Sequence, residues 1–138
     1  MSKRTFIAFG LLVLVLAVLI PWLAFRSKGN ADAGQRPIAG ELKSGRTLFQ
    51  TNCGTCHTLY SAGTDGNYGP DLDELLAPTG PPEGKDAKAA IKATEGRVLN
   101  AIENGVDSSL PGRMPPGILN EQQAKEVAHF VAVTAGEG

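Results

Sequence analysis

The chain has 138 residues, a formal net charge of −1 and 20% charged residues, enough for one small domain with accessories. The charge is unevenly spread: residues 1–40 carry five Lys/Arg against one acidic residue, and residues 41–138 carry eight against 13. An acidic head of net −5 argues against nucleic acid as a partner.

Phe6 to Phe25 is a run of 20 residues without a charge. At about 1.5 Å per helical residue it is long enough to cross a hydrocarbon core of roughly 30 Å. Lys3 and Arg4 precede it, and Trp22 lies near its far end, where an indole favours the headgroup region. Ala31-Asp32-Ala33 has the small-x-small form of a signal cleavage site, which is the alternative reading. The length of the run and the basic Arg26 and Lys28 after it favour an uncleaved anchor. No Cys lies close behind the run, which argues against a lipoprotein anchor. Residues 27–40 hold a single bulky apolar side chain, Ile38, and cannot bury a core. The expected organisation is a cytoplasmic N-terminus over 1–5, a transmembrane anchor over 6–25, a flexible linker over 26–40 and a folded head over 41–138. The basic residues on the two sides of the run nearly balance, so charge does not orient it.

The head reads as all-α, with four helical segments and no strand. Glu41 to Asn52 places Leu42, Gly45, Leu48 and Phe49 on one stripe. Leu72 to Leu76 is a short apolar turn ended by Pro78, and Ala87 to Asn104 is the longest segment, with Gly105 as its C-terminal stop. The last helix begins at Asn120 with Gln123 three positions on, as in a capping box, and carries Ala124, Val127, Ala128 and Val131 on one face. The intervening segments are rich in Gly and Pro, more loop than so small a domain can stabilise by side-chain packing alone.

Cys53-Gly54-Thr55-Cys56-His57 carries the most chemistry. Two thiols at i and i+3 with an imidazole directly after them is the spacing of a covalent haem attachment site. The sulfurs would form thioethers with the porphyrin and His57 would ligate the iron from below. Gly54 and Thr55 are small and leave room for the haem edge. Zinc would need two further ligands, and His129 is the one other His. A thioredoxin-like pair would need a βαβ setting, and a structural disulfide would not need His57. A large apolar prosthetic group would also supply the missing core. In known c-type systems covalent attachment occurs outside the cytoplasm, which places the head outside and the N-terminus inside.

The candidates for the second axial position are Met114 and His129, since Met1 lies on the other side of the membrane. At 100° per residue His129 lies about 150° from the centre of the apolar stripe of its helix, towards water. Met114 sits in Pro111-Gly112-Arg113-Met114-Pro115-Pro116-Gly117, where prolines limit the backbone and reduce the entropy lost on ligation. Met114 is therefore the expected distal ligand.

Four motifs in order resemble the small monohaem class I cytochromes c over Glu41 to Ala135. They are Gly45-x-x-x-Phe49 before Cys53-x-x-Cys56-His57, Gly69-Pro70-Asp71-Leu72, Ala101-Ile102-x-Asn104-Gly105, and Met114-Pro115 before the helix carrying Phe130. The resemblance implies one covalent haem c in a small cytochrome c domain over 41–138. It also implies a close crossing of the first and last helices at Gly45 against Phe130, and a Pro70 carbonyl that accepts from His57 Nδ1. Asp71 stands where many relatives have Asn. Residues 78–92 match no motif and look like an insertion.

The function expected is single-electron transfer between respiratory or photosynthetic complexes by a membrane-anchored carrier, not an enzyme in itself. The partners would be membrane redox complexes and the lipid bilayer. The site would be the bacterial cell membrane, single-pass, with the haem domain on the periplasmic side. A fixed haem subunit of a larger oxidoreductase is the alternative, and a thiol-disulfide oxidoreductase a remote one.

Overall fold

The computed structural model describes residues 3–26, 37–107 and 112–138, with side chains at all of these except 4–6 and 23–26. The cleavage-like Ala31-Asp32-Ala33, most of the expected linker and Pro111 lie outside the described residues. The chain divides into two units, residues 1–32 and residues 33–138.

The first unit holds one helix, α1 (Lys3–Arg26), with Pro21 inside it. Its side chains from Ile7 to Trp22 are exposed. Among the described residues no helix is long and apolar enough to cross a membrane. The anchor expected over 6–25 extends beyond both ends of the stretch whose side chains are described.

The second unit is mostly helical. A 3-10 turn at Gly40–Leu42 leads into α2 (Lys43–Asn52). Two short strands follow, β1 (Thr58–Leu59) and β2 (Thr64–Asp65), then α3 (Leu72–Leu76), α4 (Ala87–Asn104) and α5 (Glu121–Thr134). The expectation that the head has no strand is corrected. β1 and β2 pair antiparallel, Thr58 with Asp65 and Leu59 with Thr64, and Val106 bridges to Met114. Two-residue strands are too short to leave a period in the sequence. They exist because the Tyr60–Ala62 turn ends at Gly63, whose φ of 65° reverses the chain.

α5 forms as its signals dictate. The Asn120 side chain accepts from the Gln123 amide while the Gln123 side chain accepts from the Asn120 amide, a reciprocal cap. Its buried stripe of Ala124, Val127, Ala128 and Val131, extended by Phe130, forms the centre of the core and packs on α2 and α4. α2 contributes Phe49, whose ring lies 6.2 Å from that of Phe130 at a 59° tilt. α4 buries Ile102.

The α2–α5 crossing is possible because residue 45 lacks a side chain. A Cβ there would lie 2.3 Å from the Glu126 carbonyl oxygen and 2.7 Å from Phe130 Cβ. Contacts that short force the helices apart, which costs about 1–3 kcal/mol in a packed core. Gly45→Ala should lower the free energy of unfolding by that amount, read as a lower denaturant midpoint at unchanged slope. Gly96→Ala is the reference: nothing lies within 4 Å of its Cβ in the middle of α4, so it should gain about 0.5–1 kcal/mol.

Candidate functional site

The Cys53–His57 turn grows from the end of α2. The amides of Cys53 and Gly54 both donate to the Phe49 carbonyl at 2.8 and 2.9 Å, which anchors the turn to the core ring of Phe49. The amides of Cys56 and His57 then close on the Cys53 carbonyl at 3.0 and 2.9 Å. Gly54 meets a neighbour that the sequence did not suggest. A Cβ on it would sit 2.5 Å from Thr64 Cγ2 of β2, so the strand pair closes over the turn. Gly66 serves the same end from the other side, since its Cβ would lie 2.6 Å from the Thr55 carbonyl.

Cys53 is buried and Cys56 exposed. Burial pushes the Cys53 thiol up to about 11, and the neighbouring Cys56 adds to the rise. A reactive dithiol needs a stabilised thiolate, hence a lowered pKa. Cys53 is the opposite: a sulfur whose surroundings exclude charge. A thioether, which cannot ionise, suits it.

His57 is half-buried and its ring is held on two sides. Nδ1 lies 3.0 Å from the Pro70 carbonyl oxygen. A carbonyl only accepts, so Nδ1 carries the proton and Nε2 keeps its lone pair for a ligand. Gly69 lies against the ring face: a Cβ there would meet Cε1 at 2.5 Å and Nδ1 at 2.8 Å. The Gly69 amide donates to the Cys56 carbonyl at 2.7 Å, which fixes the two segments together.

Met114 is placed by main-chain bonds. Its amide and carbonyl exchange hydrogen bonds with Val106 at 3.2 and 3.1 Å, and the Gly117 amide donates to the Ile102 carbonyl at 2.9 Å. Gly105 allows this return with φ of 71°, and a Cβ on it would lie 2.6 Å from the Met114 carbonyl oxygen. The Met114 side chain is half-buried against the core. His129, the rejected candidate, is exposed on α5, and its Nδ1 is hydrogen-bonded to Glu95 on α4.

Cys53, Cys56, His57 and Pro70 thus form one cluster, while Met114 belongs to the loop between α4 and α5. The sequence pattern did not single out Asp73. This carboxylate is 9% exposed and accepts from the Tyr60 amide and the Gly136 amide, each at 2.7 Å. Ser61, fully buried, donates to Glu137 at 2.5 Å and was also missed. Neither carried a spacing signal, because each bonds to segments far along the chain.

The residues fit a covalently held porphyrin: a ring with one free nitrogen, a glycine at its face and a buried sulfur that must stay neutral. The chain belongs to the cytochrome c family, whose model matches residues 42–134. Covalently bound haem c is its cofactor. One curated relative is photosystem II extrinsic protein V of Cyanidioschyzon merolae, 31% identical over 72 residues, which are 50% of this chain and 48% of that protein. The chain spans about half the length of that relative. A solved structure, the c-type cytochrome SorU from Sinorhizobium meliloti, is 30% identical over 70% of this chain and 92% of that one, with a TM-score of 0.48.

Gly69→Ala should displace the His57 ring and break its bond to Pro70. The expected loss is about 1–3 kcal/mol, and each kcal/mol lowers the melting temperature of a domain this size by about 4–8 °C. A Gly69→Ala protein that melts with the parent would place the ring elsewhere.

Proposed function

We propose that this family member is a class I monohaem carrier of single electrons, with Cys53 and Cys56 as thioether partners and His57 and Met114 as axial ligands. The observation that carries this reading is the His57 ring held by the Pro70 carbonyl with Gly69 at its face. When bound, the haem iron supplies a one-electron couple between the ferrous and ferric states. The chain's residues do the rest. Pro70 orients His57 and raises its basicity through Nδ1. With haem bound, the neutral sulfur of Met114 would favour the ferrous state, and His57 and Met114 together would leave no position for a substrate. The raised pKa of Cys53 speaks against the thiol-disulfide alternative.

The carrier is tethered. Support comes from the 20-residue uncharged run and from the basic residues after it. In this reading the helix spans the bacterial cell membrane once, the haem domain lies on the periplasmic side, and respiratory or photosynthetic membrane complexes are donor and acceptor. The second reading, a fixed haem subunit, draws support from the relative, whose name makes it an extrinsic protein of photosystem II.

Acid–acetone extraction should leave haem on the polypeptide, and a colourless chain would overturn the covalent attachment. The ferric protein should show the weak near-red band of sulfur ligation, lost in Met114→Leu and kept in His129→Ala. Loss in the His129 variant alone would reverse the assignment.

Membrane-extracted protein should have the mass of the uncleaved chain plus one haem. A mature chain starting near Gly34 would mean a removed signal and no tether. Co-purification of a lone chain in mild detergent supports the shuttle, and a stable stoichiometric complex supports the fixed subunit.

A further inference from the structure

Two segments meet beside His57 in a constant register. The Gly69 amide donates to the Cys56 carbonyl, His57 Nδ1 donates to the Pro70 carbonyl, and the Tyr60 amide donates to Asp73 Oδ2. All three pairs are 13 residues apart in sequence, so residues 56–60 and 69–73 run side by side, bonded at both ends. The last rung is unlike the others, because its acceptor is a buried carboxylate in place of a carbonyl. The second oxygen of that carboxylate takes the Gly136 amide just beyond α5.

From this geometry we infer that Asp73 is a positioning residue for His57: it locks the far end of the double track, so that the Pro70 carbonyl cannot swing away from the ring. This inference rests on the reading of His57 as the proximal ligand. With only the first two rungs, both at one end, residues 71–73 could pivot about Pro70. The Tyr60–Asp73 bond removes that freedom three residues further along each segment. The bond to Gly136 then refers the track to the end of α5, whose buried stripe packs on α2 and α4. Charge is part of the device. An ionised carboxylate is acceptor-only and can take both amides, and such charge-assisted bonds are stronger than neutral ones. An Asn has one acceptor oxygen and an NH2 group that cannot accept, so it must release one of the two amides.

A looser Nδ1–H bond makes the imidazole less basic, and removing a buried negative charge also disfavours the ferric state. The two effects shift the reduction potential in the same direction, upward. Three variants of the haem-loaded chain separate them. Asp73→Asn removes both clamp and charge. Glu74→Gln removes a charge one residue away whose side chain is exposed. Ser61→Ala removes the buried bond to Glu137 without touching the track.

The test follows exchange of the His57 Nδ1 proton by paramagnetic NMR, together with the potential. Asp73→Asn should speed exchange of that proton about tenfold, the effect of losing one ordinary hydrogen bond, and raise the potential more than Glu74→Gln does. Ser61→Ala should lower the melting temperature and leave both readouts unmoved. Unchanged Nδ1 exchange in a folded Asp73→Asn protein would overturn the inference. In the parent protein the Tyr60 amide and the His57 Nδ1 proton should share one opening reaction as denaturant rises; an Nδ1 proton that opens while the Tyr60 amide stays protected would also overturn it, even if the variants do not fold. A His57 ring with no paramagnetic shift in the parent would instead sink the ligand assignment, a failure that the exchange data cannot mimic.

Discussion

The head depends on the close approach of α2 and α5 where Gly45 meets Glu126 and Phe130. Because no Cβ intervenes, Phe49 reaches Phe130 and both rings are fully enclosed. Phe49 is also the residue whose carbonyl holds the amides of Cys53 and Gly54. The geometry of the Cys53–His57 turn is therefore inherited from a helix crossing a few residues upstream. Core packing and site placement are here one constraint, and a disturbance of either reaches the other through a single backbone oxygen.

The polar bonds around the site add a second level. The glycines at 66 and 69 bring main chain against main chain and main chain against the His57 ring. Asp73 and the Ser61–Glu137 pair then fasten the strand pair to the residues that follow α5. Buried polar groups of this kind are tolerable only when each is satisfied, and Asp73 meets that condition with two backbone donors. The buried Cys53 thiol meets it differently, by remaining uncharged.

Much of this was legible in the sequence, and the reasons differ by residue. The helices over 87–104 and 121–134 declared themselves through period, stop and cap, all of which are local. The Cys53–His57 turn could be singled out because the chemistry it suggests needs fixed spacing. Residue 129 was expected to face water from its angle on the helix, and it is exposed beside Glu95. What escaped was long-range or very short. β1 and β2 are two residues each, below the length at which alternation can be read. Asp73 carried no signal within the short Leu72–Leu76 turn, because its partners lie 13 and 63 positions away. The Thr64 contact of Gly54 escaped too, because it is made by a hairpin the sequence did not announce.

The Val106–Met114 bridge has a consequence for how this family member can vary. The bridge closes the chain on itself at two residues, and Gly117 is pinned separately to Ile102. Residue 114 is thereby held by main-chain bonds that do not depend on the identity of its side chain. A substitution there changes the group that is offered while the backbone that carries it stays in place.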